Sequence, residues 1–304
     1  MSCSKVLVFS ATGRQGSGVV DGLVKLGIQV RGVTRSLQSE KSIAFRTKYP
    51  DAELVEIDFS SVESLIPVFE ECDGVFLNMD YWTMGAEEEL RIGYLVMNAM
   101  EESKMSFKLF IYSSLEAIGD ATGIPCPHFD GKAKLMEYAR TKREEIPCGF
   151  VKYSFYYSNL LSPYGGPKVE TTNDGGKELV FRYPLNGTRL AMVPVHDAGR
   201  VVAKMFQNPS KYENVEIGLC GEFVTGNEIA SIVSEATGIT TRFEDIPIEG
   251  PPANQAMWKF KQDNSDTLYK QYHHDSTTIV NDIQSLKQWL LSYGAEQLRK
   301  KLEE

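Results

Sequence analysis

Residues 5–18 read Lys-Val-Leu-Val-Phe-Ser-Ala-Thr-Gly-Arg-Gln-Gly-Ser-Gly. The apolar, β-branched run Lys5 to Ala11 predicts a buried strand, and it ends in a glycine-rich turn. Arg14 to Gly27 then predicts a helix, because Val19, Val20, Leu23, Val24 and Leu26 form an apolar stripe. Glycine is needed where a chain turns sharply off a strand and where its backbone closely approaches an anion. The following helix aims its free N–H groups and the positive end of its dipole at that anion. The spacing is G-x-x-G, with Gly18 one position early and Val19 where a third glycine would stand. A strand, a glycine turn and a helix in this order point to the diphosphate of a dinucleotide.

Outward from this turn the pattern repeats. Gln29 to Arg35, Ala52 to Phe59, Gly74 to Met79, Lys108 to Ser114 and Gly149 to Ser154 read as further strands, with Ala86 to Lys104 helical between two of them. Strands alternating with helices imply right-handed crossovers and a parallel sheet covered on both faces. The fold class is therefore α/β, a Rossmann doubly wound parallel sheet with a smaller α+β C-terminal domain. The boundary falls near residue 154: 1–154 for the first domain and 155–304 for the second, with segments at about 190–220 returning to the sheet. Val215 to Cys220 reads as a later strand. Pro163 to Asn186 reads as long loops or a small hairpin. Asp197 is expected to cap a helix over Ala198–Phe206, and Thr225 one over Gly226–Ala236. Phe243 to Thr278, with Pro247, Pro251 and Pro252, reads as irregular, and a last helix is expected from Ile279 to Leu302 before a charged tail.

The chain has 304 residues, 32 basic and 41 acidic side chains and a net charge of −9. That acidity argues against a nucleic-acid backbone as direct partner, since phosphate binding relies on clustered Lys and Arg. No apolar run reaches the ~18 residues of a membrane span, and Met1 leads straight into a strand without a signal peptide. Five scattered cysteines, with no C-x-x-C pair, suit a reducing compartment and suggest no metal site. The expected location is the cytoplasm, with the nucleus open to a regulatory protein. The histidines offer no metal cluster: His196 precedes a helix start, and His273-His274 sit in a polar stretch.

The end of the second strand bears on the cofactor. A site for NAD usually carries an acid there, but this chain reads Val33-Thr34-Arg35. Arg35 can make paired hydrogen bonds to a 2′-phosphate, and Arg14 can add a second contact, so NADP(H) is the expected cofactor.

The turn A-T-G-R-Q-G, Val33-Thr34-Arg35, Asp80-Tyr81-Trp82, His128-Phe129-Asp130-Gly131-Lys132, Tyr156 to Leu161 and Pro194 to Asp197 together resemble the NmrA-like branch of the atypical short-chain dehydrogenase/reductases. Within it the chain looks most like the HSCARG-type NADPH-sensor proteins, and the resemblance covers nearly the whole length. It implies that Ser10, Ala11, Thr12, Gly13, Arg14, Gln15 and Gly16 cradle the diphosphate and Arg35 the 2′-phosphate. It places Asp58 and Phe59, ending the third strand, by the adenine, and Met79, Asp80 and Tyr81 along the ribose and nicotinamide. Arg91, Lys132, Tyr156, Tyr157, Ser158 and Asn159 would close the site. Two departures stand out. The basic cluster that follows the arginine in the family is thinned here to Ser36-Leu37-Gln38-Ser39-Glu40-Lys41, and Asp80 replaces an uncharged amide.

Short-chain reductases pair a tyrosine with a lysine four residues on, both on one helix face. Here the lysine is Lys132 and the tyrosine's place is taken by His128; Ser113 and Ser114 could supply the supporting hydroxyl. Imidazolium would be a competent acid, but a neighbouring ammonium disfavours that charged form. His128 and Lys132 are thus the catalytic candidates, with turnover expected to be weak or absent. Trp82, Trp258 and Phe155-Tyr156-Tyr157 could line a pocket for a planar substrate, although aromatics at such positions more often build core. Two functions stay open. One is an NADP(H)-binding redox sensor that controls a protein partner, with homodimerisation a further expectation. The alternative is an NADPH-dependent reductase of a quinone, aldehyde or aromatic acceptor.

Overall fold

A computed structural model describes residues 1–302; Glu303 and Glu304, the end of the charged tail, lie outside the described residues. The chain forms two compact units, one of residues 1–119, 127–152 and 196–217, the other of residues 120–126, 153–195 and 218–304.

The first unit is built on strands β1 (Lys5–Val8), β2 (Gln29–Thr34), β3 (Glu53–Glu56), β4 (Gly74–Leu77), β5 (Leu109–Ser114) and β6 (Cys148–Tyr153). With the edge strand Glu216–Leu219 they make one seven-stranded sheet in the order edge, β6, β5, β4, β1, β2, β3. The pairs from β3 to β6 are all parallel. At the edge, Phe150 N–H donates to Val215 (2.9 Å) and Ser154 N–H to Leu219 (3.0 Å), stepping the same way along both chains. Strands β1, β4 and β5 are buried throughout, which is why their sequences run apolar instead of alternating. Leu7, Leu77, Val96, Phe110 and Phe150 meet in this core, each burial stabilising by about 1.5–3 kcal/mol. The strand order reverses between β1 and β4, and such sheets bind ligands outside the strand ends at that point.

The expected boundaries move where backbone geometry intervenes. The β1 run stops at Val8 rather than Ala11, because Ser10 takes a left-handed conformation with φ 53°. The helix expected over Ala86–Lys104 begins at Tyr81 and ends at Glu102, and Gly85 (φ 79°) breaks its first turn from the rest. Asp80 caps it, its carboxylate accepting from Trp82 N–H at 3.2 Å. Asp197 is not a cap: the helix Val195–Gln207 starts directly after Pro194, and Asp197 lies in its first turn, accepting from Arg200 at 3.1 Å.

In the second unit Lys168–Thr171 and Lys177–Tyr183 form an antiparallel hairpin, extended by Thr241–Asp245. A second small sheet joins Phe155–Tyr156, Leu190–Val193 and Glu222–Val224. Thr225 and Glu228 form a capping box on the helix Gly226–Thr237. The stretch read as irregular contains two helices, Pro252–Asp263 and Leu268–Ile279. Its prolines do not forbid them, because Pro251 and Pro252 sit at the cap and first helical position, where no N–H is needed. The last helical segment starts at Leu286, not Ile279, behind a capping box at Ser285, and passes through a π-turn at Leu290–Gly294.

Among the described residues no helix is long and apolar enough to cross a membrane, and no His/Cys/Asp/Glu group could hold a metal. All five cysteines are buried and none is in a disulfide. Burial lifts the Cys72 thiol to about 11 and those of Cys3 and Cys220 to about 12, leaving them protonated and poorly nucleophilic at neutral pH.

One polar cluster braces the first unit. Asp21 accepts from Tyr49 Oη at 2.5 Å and lies 2.9 Å from His196 Nδ1 and 3.0 Å from Lys48 Nζ. Burial alone would raise its carboxyl, but the bonds from His196, Tyr49 and Lys48 outweigh this and hold it well below the usual range. A depressed carboxylate gives stability that is complete above its unfolded value of about 3.9 and is lost as pH falls toward the folded value. Asp21→Asn is expected to lower stability by about 2 kcal/mol at neutral pH. Urea titrations at a series of pH values should show the gap to wild type closing below about pH 4.

Candidate functional site

The site grows from the end of β1. Phe9 N–H donates to Phe76 O at 2.9 Å, and Ser10 Oγ to Asn78 O at 3.0 Å, so the turn is anchored to β4 and its extension. Gly13 N–H closes the turn on Ser10 O at 2.8 Å. Gly13 is also the N-cap of the helix Arg14–Lys25, which has no side-chain cap and no acid in its first turn. A helix start without its own carboxylate favours an external anion. A Cβ on Gly16 would lie 2.1 Å from Ser10 O and 2.9 Å from Ala11 Cα, so helix and turn pack backbone to backbone. Ser10, Ala11, Thr12, Gly13, Arg14, Gln15 and Gly16 thus form one continuous cradle, whose shape and uncapped amides fit a diphosphate. A Cβ on Gly199 would stand 2.0 Å from Gly18 C, so Gly199 lets the helix Val195–Gln207 cross closely over the backbone at Gly18.

Arg35 lies just past β2 with its side chain exposed, making no hydrogen bond or ion pair among the described residues. Its loop is held by serine hydroxyls: Ser42 Oγ and Ser39 Oγ both donate to Ser36 O, at 2.6 and 3.1 Å. Asp58 and Phe59 do not end β3, which stops at Glu56; they follow it. The Asp58 carboxylate accepts from Ser60 N and Oγ, and the Phe59 ring lies 6.4 Å from Phe9. Arg91 does not project freely: it pairs with Glu88 at 2.7 Å and donates twice to Phe59 O at 3.2 Å.

On the other side of the turn lies the least expected feature. Lys132 Nζ, on the helix Pro127–Thr141, donates to Met79 O at 3.0 Å and pairs with Glu89 Oε1 at 2.7 Å. Glu89 is 1% exposed, and its Oε2 and the nearby Tyr112 hydroxyl are buried without a hydrogen bond. Burial raises the Glu89 carboxyl despite the opposing Lys132 ammonium, and burial together with Glu89 pushes the Tyr112 phenol far above its ordinary value. Ser114 Oγ donates to Lys132 O at 3.2 Å, so it steadies the helix backbone rather than a reacting atom. Ser113 is buried in β5. His128 is half-buried, its ring 5.7 Å from Tyr81, 5.4 Å from Trp82 and 4.9 Å from Phe129. Glu89 was detectable in principle, because it falls in the apolar stripe of Ile92, Gly93, Val96 and Met100. A carboxylate inside such a stripe needs a cationic partner.

Tyr156, Tyr157, Ser158 and Asn159 belong to the second unit. The Tyr156 ring lies 5.9 Å from Tyr153, Tyr157 is buried with its hydroxyl donating to Gln284 O at 3.3 Å, and Asn159 O accepts from Ser162. Ser158 Oγ is buried without a hydrogen bond. Trp258 stacks on Tyr183 at 6.0 Å and, with Phe155, lines a cavity of about 400 Å³ within this unit. Trp82 is not core; it is 77% exposed.

A parallel sheet with a glycine turn and an uncapped helix at its switch point defines a Rossmann-type α/β protein. The chain belongs to the NmrA-like family, whose model matches residues 2–259. It is 26% identical over 255 residues to an NmrA-like family domain-containing protein of Dictyostelium discoideum, covering 81% of this chain and 82% of that one. It is 28% identical over 276 residues to the NmrA-like family domain-containing oxidoreductase malD of Malbranchea aurantiaca, covering 83% and 80%. Among solved structures it resembles Nmra, a negative transcriptional regulator, in complex with NADP, with a TM-score of 0.80 at 17% identity over 99% of this chain and 98% of that one.

Proposed function

We propose that the protein is an NADP(H)-binding regulator of the NmrA-like type with little or no dehydrogenase turnover. The cradle Ser10–Gly16 would hold the diphosphate and Arg35 the 2′-phosphate, with Met79, Asp80 and Tyr81 along the nicotinamide half. Bound, such a cofactor offers hydride transfer; what this chain's residues do is bind and orient it. The observation that carries the reading is the state of Lys132. Its ammonium is bonded to Glu89 and Met79 O, and the position four residues earlier holds His128 instead of a phenol. A lysine so paired does not activate a proton donor. Nmra, described as a negative transcriptional regulator, supports the regulatory reading, and it has been crystallised with NAD as well as NADP.

The rival reading is an NADPH-dependent reductase of a quinone, aldehyde or aromatic acceptor. The exposed Trp82 beside Tyr81 and His128 favours it, as does the naming of malD as an oxidoreductase. Calorimetry and nicotinamide absorbance on one sample separate the two. NADPH is expected to bind, more tightly than NADH, without being consumed when quinones and aldehydes are supplied. Robust consumption by the wild-type chain would overturn the regulatory reading, and tighter NADH would overturn the role of Arg35.

A further inference from the structure

We infer that the carboxylates around Met79 set which redox form of a nicotinamide dinucleotide is held more tightly, with Glu89 and Asp80 both favouring the oxidised form. The inference rests on the dinucleotide reading above and deepens it. Arg35, the glycine turn and Met79 follow three adjacent strands, β2, β1 and β4. A dinucleotide with its phosphorylated ribose at Arg35 and its diphosphate on the turn therefore directs its other half to the end of β4. The charges there are few. Lys132 is neutralised by Glu89 at 2.7 Å. Asp80 is exposed; among the described residues its carboxylate bonds only the Trp82 N–H and has no cationic partner, and its charge is felt at Glu89. The group carries two carboxylates to one ammonium.

A nicotinamide ring is cationic when oxidised and neutral when reduced. The lone Asp80 charge attracts the cation and is indifferent to the neutral ring. Glu89 acts through Lys132, cancelling an ammonium that would otherwise repel the oxidised ring. Glu89 and Lys132 are buried, where charges are screened less than in water, while the exposed Asp80 acts through solvent, so the Glu89 effect is the larger of the two.

Calorimetric Kd values for NADP+ and NADPH at one ionic strength test this. The ratio Kd(NADP+)/Kd(NADPH) is expected to rise about fivefold in Asp80→Asn and about tenfold in Glu89→Gln. Asn caps a helix as well as Asp does, so Asp80→Asn retains the fold and decides the matter alone if Glu89→Gln does not fold. Asp51→Asn, an exposed acid before β3, controls for net charge and should leave the ratio unchanged. Unchanged ratios with both forms still bound would overturn the inference and leave the dinucleotide reading intact. Failure of the wild-type chain to bind either form would overturn that reading itself.

Discussion

Gly16→Ala is expected to destabilise the fold by about 3 kcal/mol and to weaken NADPH binding by at least about 100-fold. The added methyl would meet backbone rather than a side chain: Ser10 O at 2.1 Å, Ser10 C at 2.7 Å and Ala11 Cα at 2.9 Å. No rotamer change can relieve that overlap. The helix start must retreat from the turn, and the amides that define the cradle move with it. The turn has little freedom to yield, since Phe9 and Ser10 are bonded across to Phe76 and Asn78. Gly27→Ala is the control. Its cost comes only from a left-handed φ of 70°, with nothing within 4 Å of the new carbon, so binding should survive. Urea denaturation and calorimetry on both variants check this. If Gly16→Ala kept wild-type stability and affinity, the turn would not be the packed anion cradle described here.

That turn was also the most legible part of the sequence. Buried parallel strands carry little alternation, so β1, β4 and β5 stood out as apolar runs, and the helix stripe of Val19, Val20 and Leu23 fixed the crossover. The α/β class and its parallel sheet followed from the same local signals. What stayed hidden depended on backbone states or partners distant in sequence. Nothing local announces that Ser10 adopts a positive φ and shortens β1, or that Gly85 interrupts a helix. Pro251 and Pro252 read as breakers although proline is compatible with a helix start, and two helices beyond them were missed for that reason. Arg91 carried a binding expectation, yet its guanidinium is taken by Glu88 and the Phe59 carbonyl. Residue type shows what a side chain can bond; only tertiary placement shows what it does bond.

Lys132 makes the same point with energetic consequences. Its position was readable from the H-F-D-G-K string, but its partner, Glu89, lies 43 residues away. Glu89 stands in an acidic run whose first two members face outward or partly outward, and only its place in the apolar stripe sets it apart. The pair is costly by construction. Both ions leave water, the ammonium spends two of its bonds on Glu89 and Met79 O, and Glu89 Oε2 receives none.

Lys132→Met is accordingly expected to destabilise the protein by about 4 kcal/mol, because it leaves the Glu89 carboxylate buried and alone. Glu89→Leu should cost a similar amount by stranding the ammonium. The double variant, Glu89→Leu with Lys132→Met, should return to within about 1 kcal/mol of wild type, since two apolar chains of similar size can fill the space both ions occupied. Urea denaturation of the four proteins closes the cycle, and a coupling of about 7 kcal/mol is expected from these values. Additive single effects would show that the two groups do not act as a pair. NADPH affinity, measured alongside, carries the functional half of the argument. If the double variant regains stability but not affinity, the ion pair contributes little to holding the fold together. Its presence at the end of β4 is then explained by the ammonium it fixes beside Met79.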